Sequence, residues 1–244
     1  MAHPPPLLSA TGIEKSFGAF RVLHGVDFHV MPGEAVGIVG PNGAGKTTLF
    51  GALAGAYPAN AGRVVLAGGD VTALPAAARC RIGLARTHQI PRPFAGMTVL
   101  ENVMVAGQAG AALSQSDAVL RAVEVMARTG LGALANRPAA TLGLLDRKRL
   151  ELARALATGP DLILLDEIGG GLTEAELETL IALIRALLAD GLTVVWIEHI
   201  LHALLSVVTR LVCMAEGRVL AEGDPSAVMA HPQVRAAYLG SSPE

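Results

Sequence analysis

Apolar residues follow two rhythms along this chain. Between residues 8 and 36 they come in short runs, Val22-Leu23, Val26, Phe28 and Val30, separated by turn signals such as Met31-Pro32-Gly33-Glu34. That pattern predicts short strands of a β layer. The apolar run Ala35-Val36-Gly37-Ile38-Val39 predicts a buried strand, followed by a glycine-rich turn at 40–45 and a helix from about Lys46 to Ala54. Residues 62–71 read as a further hairpin, and residues 79–89 lead into Pro91-Arg92-Pro93, which breaks regular structure.

From about residue 98 to 156 the rhythm becomes helical, with helices expected over 99–105, 116–129 and 146–158. Apolar positions 119, 120, 123 and 126 form a stripe of helical period. After Gly159-Pro160 come a strand (162–165), a glycine-rich turn, a helix (174–189), a strand (193–197) and a helix (200–208). The helix from Glu174 places Leu177, Leu180, Ile181, Ile184, Leu187 and Leu188 on one face. Continuous apolar strands alternating with amphipathic helices imply a parallel sheet covered by helices. No internal repeat or low-complexity linker divides the chain, so the helical middle reads as an insertion in one α/β unit, with residues 1–6 as a frayed tail.

Composition narrows the class. The 244 residues carry 19 Lys+Arg against 21 Asp+Glu, a net charge of −2. That balance argues against a general nucleic-acid binder, whose phosphate contacts need surplus cations. With 52% hydrophobic residues a membrane protein has to be considered, but the longest uncharged stretch is 16 residues (47–62), broken by Gly51, Gly55 and Pro58. A spanning helix needs roughly 20 apolar residues. The opening Met1-Ala2-His3-Pro4-Pro5-Pro6 lacks the basic and apolar regions of a secretory signal, and Cys80 and Cys213 are too few for a disulfide framework. The expectation is a soluble, cytosolic, aliphatic-rich protein with apolar surface to spare. Lysine is scarce: Lys15, Lys46 and Lys148 are the only three.

One of those lysines sits in Gly40-Pro41-Asn42-Gly43-Ala44-Gly45-Lys46-Thr47-Thr48, which fits the phosphate-binding pattern G-x-x-x-x-G-K-[ST]. Glycines let backbone N–H groups wrap phosphates, the helix N-terminus adds its positive end, the lysine reaches the β/γ-phosphates and Thr47 holds Mg²⁺. An ordinary glycine-rich turn competes, since the chain has 28 glycines, but the loop falls between a strand and a helix as the mechanism requires. Residues 161–167, Asp-Leu-Ile-Leu-Leu-Asp-Glu, read as a buried strand delivering Asp166 and Glu167 at its C-terminal end, where open α/β sheets bind ligands. Asp166 suits Mg²⁺ and Glu167 suits polarisation of an attacking water. His199 ends the next strand at the same sheet edge, with Glu198 and His202 read as neighbours without a catalytic role.

This constellation resembles the ATP-binding cassette (ABC) family of ATPases over nearly the whole chain. The resemblance implies an α/β fold: a P-loop NTPase core with an antiparallel β subdomain and an inserted helical subdomain. One domain would span 7–241, its core at 7–90 and 159–241 and its helical subdomain at 91–158. It assigns Phe17 to adenine stacking (a core Phe on the first strand is the competing reading), residues 40–48 to phosphate, and Thr47, Gln89 and Asp166 to Mg²⁺. Glu167 becomes the general base, His199 the switch histidine that orients phosphate and water, and Gly170-Gly171-Leu172-Thr173 a dimer-contacting loop. Residues 83–94 (Gly-Leu-Ala-Arg-Thr-His-Gln-Ile-Pro-Arg-Pro-Phe), 97–103 and Ala237-Tyr238-Leu239-Gly240 are similar to importer cassettes for branched-chain amino acids and related solutes, which pair with a second, non-identical cassette. The implied cofactors are ATP and Mg²⁺. The implied partners are permease subunits, a second cassette and, indirectly, a solute-binding protein, with no direct nucleic acid, at the inner face of the cell membrane.

One segment departs from the family. Its signature L-S-G-G-Q falls on Leu142-Gly143-Leu144-Leu145-Asp146, where the serine is missing and leucines take both glycine positions. Thr141 could supply a hydroxyl in a shifted register. Arg79, Arg81, Arg86 and Arg92 lie in an acid-free stretch that reads either as a solvated face or as a docking surface for a membrane subunit. Three other functions stay open on sequence alone: a cassette driving lipid or lipopolysaccharide export, a soluble ABC ATPase acting on nucleic acid or ribosomes, and a binding-only module. The last would require loss of Glu167.

Overall fold

The computed structural model of the chain describes residues 5–239. The first four positions of the expected tail, Gly240 of the 237–240 motif and the last two positions of the domain expected over 7–241 lie outside the described residues. The chain divides into two compact units, one running to Ala76 and resuming at Thr193, the other spanning Ala77–Leu192.

The first unit opens with an antiparallel pair, β1 (Leu8–Phe17) and β2 (Phe20–Val30). These are longer than the short runs expected. Bulges interrupt the β1–β2 register between Ala10 and Ile13 and again beyond it, so the alternation skips steps while the strand continues. The continuous apolar run forms β3 (Ala35–Val39), buried along its whole length. After the glycine-rich turn, α1 (Lys46–Ala54) is buried on nearly every side, as an all-round apolar helix must be. β4 (Ala61–Leu66) and β5 (Gly69–Asp70) complete a sheet of order β2-β1-β4-β5.

The second unit holds α2 (Ala76–Arg81), which starts at the boundary, then β6 (Leu84–Arg86), α3 (Val99–Ala111), α4 (Gln115–Arg128), α5 (Leu144–Ala157), β7 (Leu162–Asp166) and α6 (Glu174–Ala189). β6 and β7 pair in parallel, Ala85 against Ile163. Capping boxes start α3 and α6: Thr98 pairs with Glu101, and Thr173 with Glu176. The threonine N–H groups hold both carboxyls below the usual range. α3 outruns the helix expected over 99–105 because its glycines serve packing: a Cβ at Gly110 would stand 2.4 Å from Thr158 Cγ2. α5 begins two residues before the expected start at 146, because Asp146 lies in the first turn rather than at the cap; carboxylates are favourable in both places.

The chain then returns to the first unit with β8 (Thr193–Ile197), α7 (Leu201–Leu205), β9 (Arg210–Ala215), β10 (Arg218–Gly223), α8 (Pro225–Ala230) and α9 (Pro232–Leu239). β3 pairs in parallel with both β8 and β9, and β10 closes antiparallel on β9. Arg210 ties this part to the start of β3, donating to Glu34 Oε1 (2.6 Å) and Oε2 (3.0 Å) and to the His29 carbonyl (2.7 Å). Burial opposes ionisation of Glu34, but the Arg210 hydrogen bonds outweigh it and hold the carboxyl below its usual range. The cysteines are both free, and burial raises the Cys213 thiol out of the reactive range. Antiparallel and parallel sheets with a helix-rich middle are the expected α/β class.

Candidate functional site

The phosphate-loop residues sit where strand and helix physics put them. The loop leaves the end of β3, and α1 begins at Lys46 with Gly45 as an N-cap that offers no side-chain acceptor. The N–H groups of the first turn therefore face whatever occupies the loop. Gly40 has φ 144°, and a Cβ there would come within 2.1 Å of the Met214 carbonyl oxygen, so only glycine fits. Lys46 is 6% exposed, and its ammonium lies across the loop, donating to the Gly40 carbonyl at 2.7 Å and the Pro41 carbonyl at 3.1 Å. The Ala44 carbonyl accepts from the Gly217 N–H at 3.1 Å, and the Gly217 carbonyl accepts from His24 N–H at 3.0 Å. The loop is thus braced by the β9–β10 turn.

Two more expected residues lie in the same unit. β3 and β8 are parallel neighbours, Ile38 against Ile197, so the loop after β3 and His199 after β8 emerge at one end of the sheet. His199 is exposed, and its N–H donates to Glu198 Oε1 at 2.9 Å. Phe17 ends β1 with half its surface free, 49% exposed, which removes the core reading. Its ring meets Tyr57 edge-on at 5.3 Å between centroids, and Lys15 Nζ stands 5.0 Å and 4.9 Å from the two rings. Lys15 also donates to the Pro58 carbonyl at 2.8 Å. An exposed aromatic face with a fixed back is a stacking platform.

The second unit brings Gln89, Asp166 and Glu167 together. β7 delivers the two carboxylates at its C-terminal end. Glu167 has φ 48°, a left-handed conformation that costs a non-glycine residue strain. Gln89 Nε2 donates to Glu167 Oε2 at 2.5 Å. Asp166 is buried, and Oδ2 accepts from Arg86 Nη2 at 2.7 Å, while its own N–H donates to Thr87 Oγ1 at 3.3 Å.

Sequence reasoning missed two cations here. Arg86 belongs to neither a solvated face nor a docking surface: it is the partner of Asp166, its side chain mostly buried. Arg79 is buried as well, so only Arg81 and Arg92 are exposed as either a solvated face or a docking surface requires. Lys148, inside α5, donates to the Gln89 carbonyl at 3.0 Å and the Glu167 carbonyl at 3.4 Å. A parallel strand three residues long gives a sequence almost no signal, and neither does a lysine facing inward from a helix.

The degenerate segment is equally definite. Leu142 is buried, Gly143 caps α5 without a side-chain bond, and Asp146 takes a 3.2 Å ion pair from Arg149. Leu144 leans over Gly171: a Cβ there would lie 3.1 Å from Leu144 Cδ2. The Thr141 hydroxyl donates to the Pro138 carbonyl at 2.8 Å and accepts from Arg137 Nε at 3.1 Å.

Comparison with known proteins finds a family and full-length relatives. Residues 23–169 match the ABC transporter family, and residues 218–243 match the branched-chain amino acid ATP-binding cassette transporter family. The chain is 36% identical to the high-affinity branched-chain amino acid transport ATP-binding protein LivG of Escherichia coli (strain K12), covering 97% of this chain and 99% of that one. It is 35% identical to BraF of Pseudomonas aeruginosa, with the same coverage. Among solved structures it is similar to a nucleotide-free ATP-binding cassette from an ABC transporter, with a TM-score of 0.88 and 31% identity over 97% of this chain and all of that one.

Proposed function

The chain belongs to the ABC transporter family of ATP-binding cassettes, and from that premise we propose that it is the ATP-hydrolysing subunit of an importer for branched-chain amino acids or related small solutes. The observation that carries this reading is similarity to LivG from end to end, continued through a C-terminal segment of the branched-chain amino acid type. Lipid export and action on nucleic acid have no comparable support.

In this reading Phe17 stacks on adenine, and Gly40, Pro41, Asn42, Gly43, Ala44, Gly45, Lys46, Thr47 and Thr48 hold the phosphates. Residues Thr47, Gln89 and Asp166 would hold Mg²⁺, which when bound neutralises charge on the phosphate oxygens. The fit is supported by Asp166 Oδ1, a buried acceptor without a hydrogen-bond partner among the described residues. An ion there would be held chiefly by phosphates and water, with one carboxylate from the protein. Glu167 accepts a proton from the attacking water, and His199 orients water and phosphate. Catalysis is then positioning and charge stabilisation.

No helix among the described residues is long and apolar enough to cross a membrane. The proposed place is peripheral, on permease subunits at the inner face of the cell membrane, beside a second cassette and indirectly a solute-binding protein. Ile90, Phe94 and Met97 expose apolar surface next to Gln89 in sequence, with Arg92 exposed among them, and this segment is the proposed permease contact. The domain is one cassette over 7–241, with its helical subdomain at 91–158. Affinity purification in mild detergent tests the assignment: two hydrophobic permease chains and a second cassette are expected, whereas ribosomal or nucleic-acid partners would overturn it.

Family cassettes pair so that each signature completes the other's nucleotide site. Here the start of α5 carries leucines and Asp146, an anion at the end of a helix that otherwise attracts anions. We infer that the defect weakens the partner's site. Restoring residues 142–146 to L-S-G-G-Q should raise ATP turnover of the assembled complex severalfold; unchanged turnover would sink the idea.

A further inference from the structure

We propose that Lys148 is a positioning residue for ATP turnover, holding the backbones of Gln89 and Glu167 in the arrangement in which their side chains meet. The inference rests on reading Glu167 as the base. Lys148 is 5% exposed, and its ammonium donates to two carbonyls far away in sequence, those of Gln89 (3.0 Å) and Glu167 (3.4 Å). The same two residues meet again through Gln89 Nε2 and Glu167 Oε2. Backbone and side chains thus form a closed ring of contacts with Lys148 as its only element from α5.

Both anchored residues need an external hold. Glu167 sits at φ 48°, and Gly169-Gly170-Gly171 follows almost at once, so the local chain resists that conformation without fixing another. Gln89 lies between β6 and α3, in a segment with no helix or strand of its own. A cation on a carbonyl fixes the orientation of that peptide, and one cation on two carbonyls fixes the distance between them. An ammonium is costly to bury, and an apolar side chain would fill the same space without that cost. Retaining lysine makes sense if its donors set geometry.

The test compares Lys148→Met, Lys148→Arg and Glu167→Gln in the full chain, co-purified with its partner subunits. Misplacement of a base by a fraction of an ångström predicts that Lys148→Met lowers kcat about tenfold or more while the KM for ATP stays within about threefold. Lys148→Arg, which can still donate to both carbonyls, should recover most of the rate. Amide exchange over residues 89–98 and 167–173 should rise in the Met variant and stay low in the Arg variant. If the Met variant does not fold, Lys148→Gln, too short to reach both carbonyls, is read in its place. A Lys148→Met enzyme with normal kcat beside an inactive Glu167→Gln control overturns this inference alone, as does parallel loss of nucleotide binding or failure of arginine to rescue. A Glu167→Gln control with normal turnover overturns the assignment of the base and this inference with it.

Discussion

Replacing Glu167 with Gln should leave ATP binding within about threefold of the starting protein and lower turnover by 10² or more, the range a general base supplies. The substitution isolates chemistry from structure. Glutamine keeps the size of the side chain and an oxygen to accept from Gln89 Nε2, so the contact at 2.5 Å survives. It keeps the backbone at φ 48°, because glutamine is no better or worse than glutamate there. What it removes is the lone pair basic enough to take a proton from water. Steady-state turnover and nucleotide binding, measured on the same preparation, decide the matter; turnover near the starting rate would show that the base lies elsewhere.

Arg86→Met should be the most destabilising of the site substitutions. The Arg86–Asp166 pair is mostly buried, with side-chain exposures of 16% and 3%. Removing the arginine strands a carboxylate whose second oxygen already lacks a partner among the described residues. Breaking a buried pair on one side costs about 3–5 kcal/mol, which in a chain of this length lowers Tm by roughly 6–20 °C. Adding Asp166→Asn to Arg86→Met should recover part of that loss, since the stranded charge is then gone. A thermal double-mutant cycle measures this coupling. A drop near that of a surface pair, about 1 kcal/mol or less, would mean that solvent screens the pair.

What could be read beforehand divides along physical lines. β3, α1, α6 and β8 begin and end where the apolar pattern puts them, because burial, caps and glycine turns all act locally. β1 and β2 looked like short strands because bulges disturb their alternation. The β9–β10 hairpin was not anticipated, although Glu216-Gly217 between two apolar runs is a turn signal, both residues having positive φ. The loop lysine, the acid pair and the strand-end histidine were legible because their chemistry demands fixed spacings. Arg86 and Lys148 were not, since their partners lie 80, 59 and 19 residues away and only the fold brings them near.

Every lysine in the chain is buried: Lys15, Lys46 and Lys148 are 8%, 6% and 5% exposed, and each spends its ammonium on backbone carbonyls. The surface cations are therefore guanidinium groups, and no side-chain amine stands open to reagents. Amine-directed cross-linkers, fluorophores and acylating agents should pass over the folded protein's side chains, so partner mapping by such chemistry would return a false blank. Carboxylate- or arginine-directed reagents are the ones suited to it. Conversely, lysine labelling becomes a gauge of opening, since any amine that reacts has first left its carbonyls.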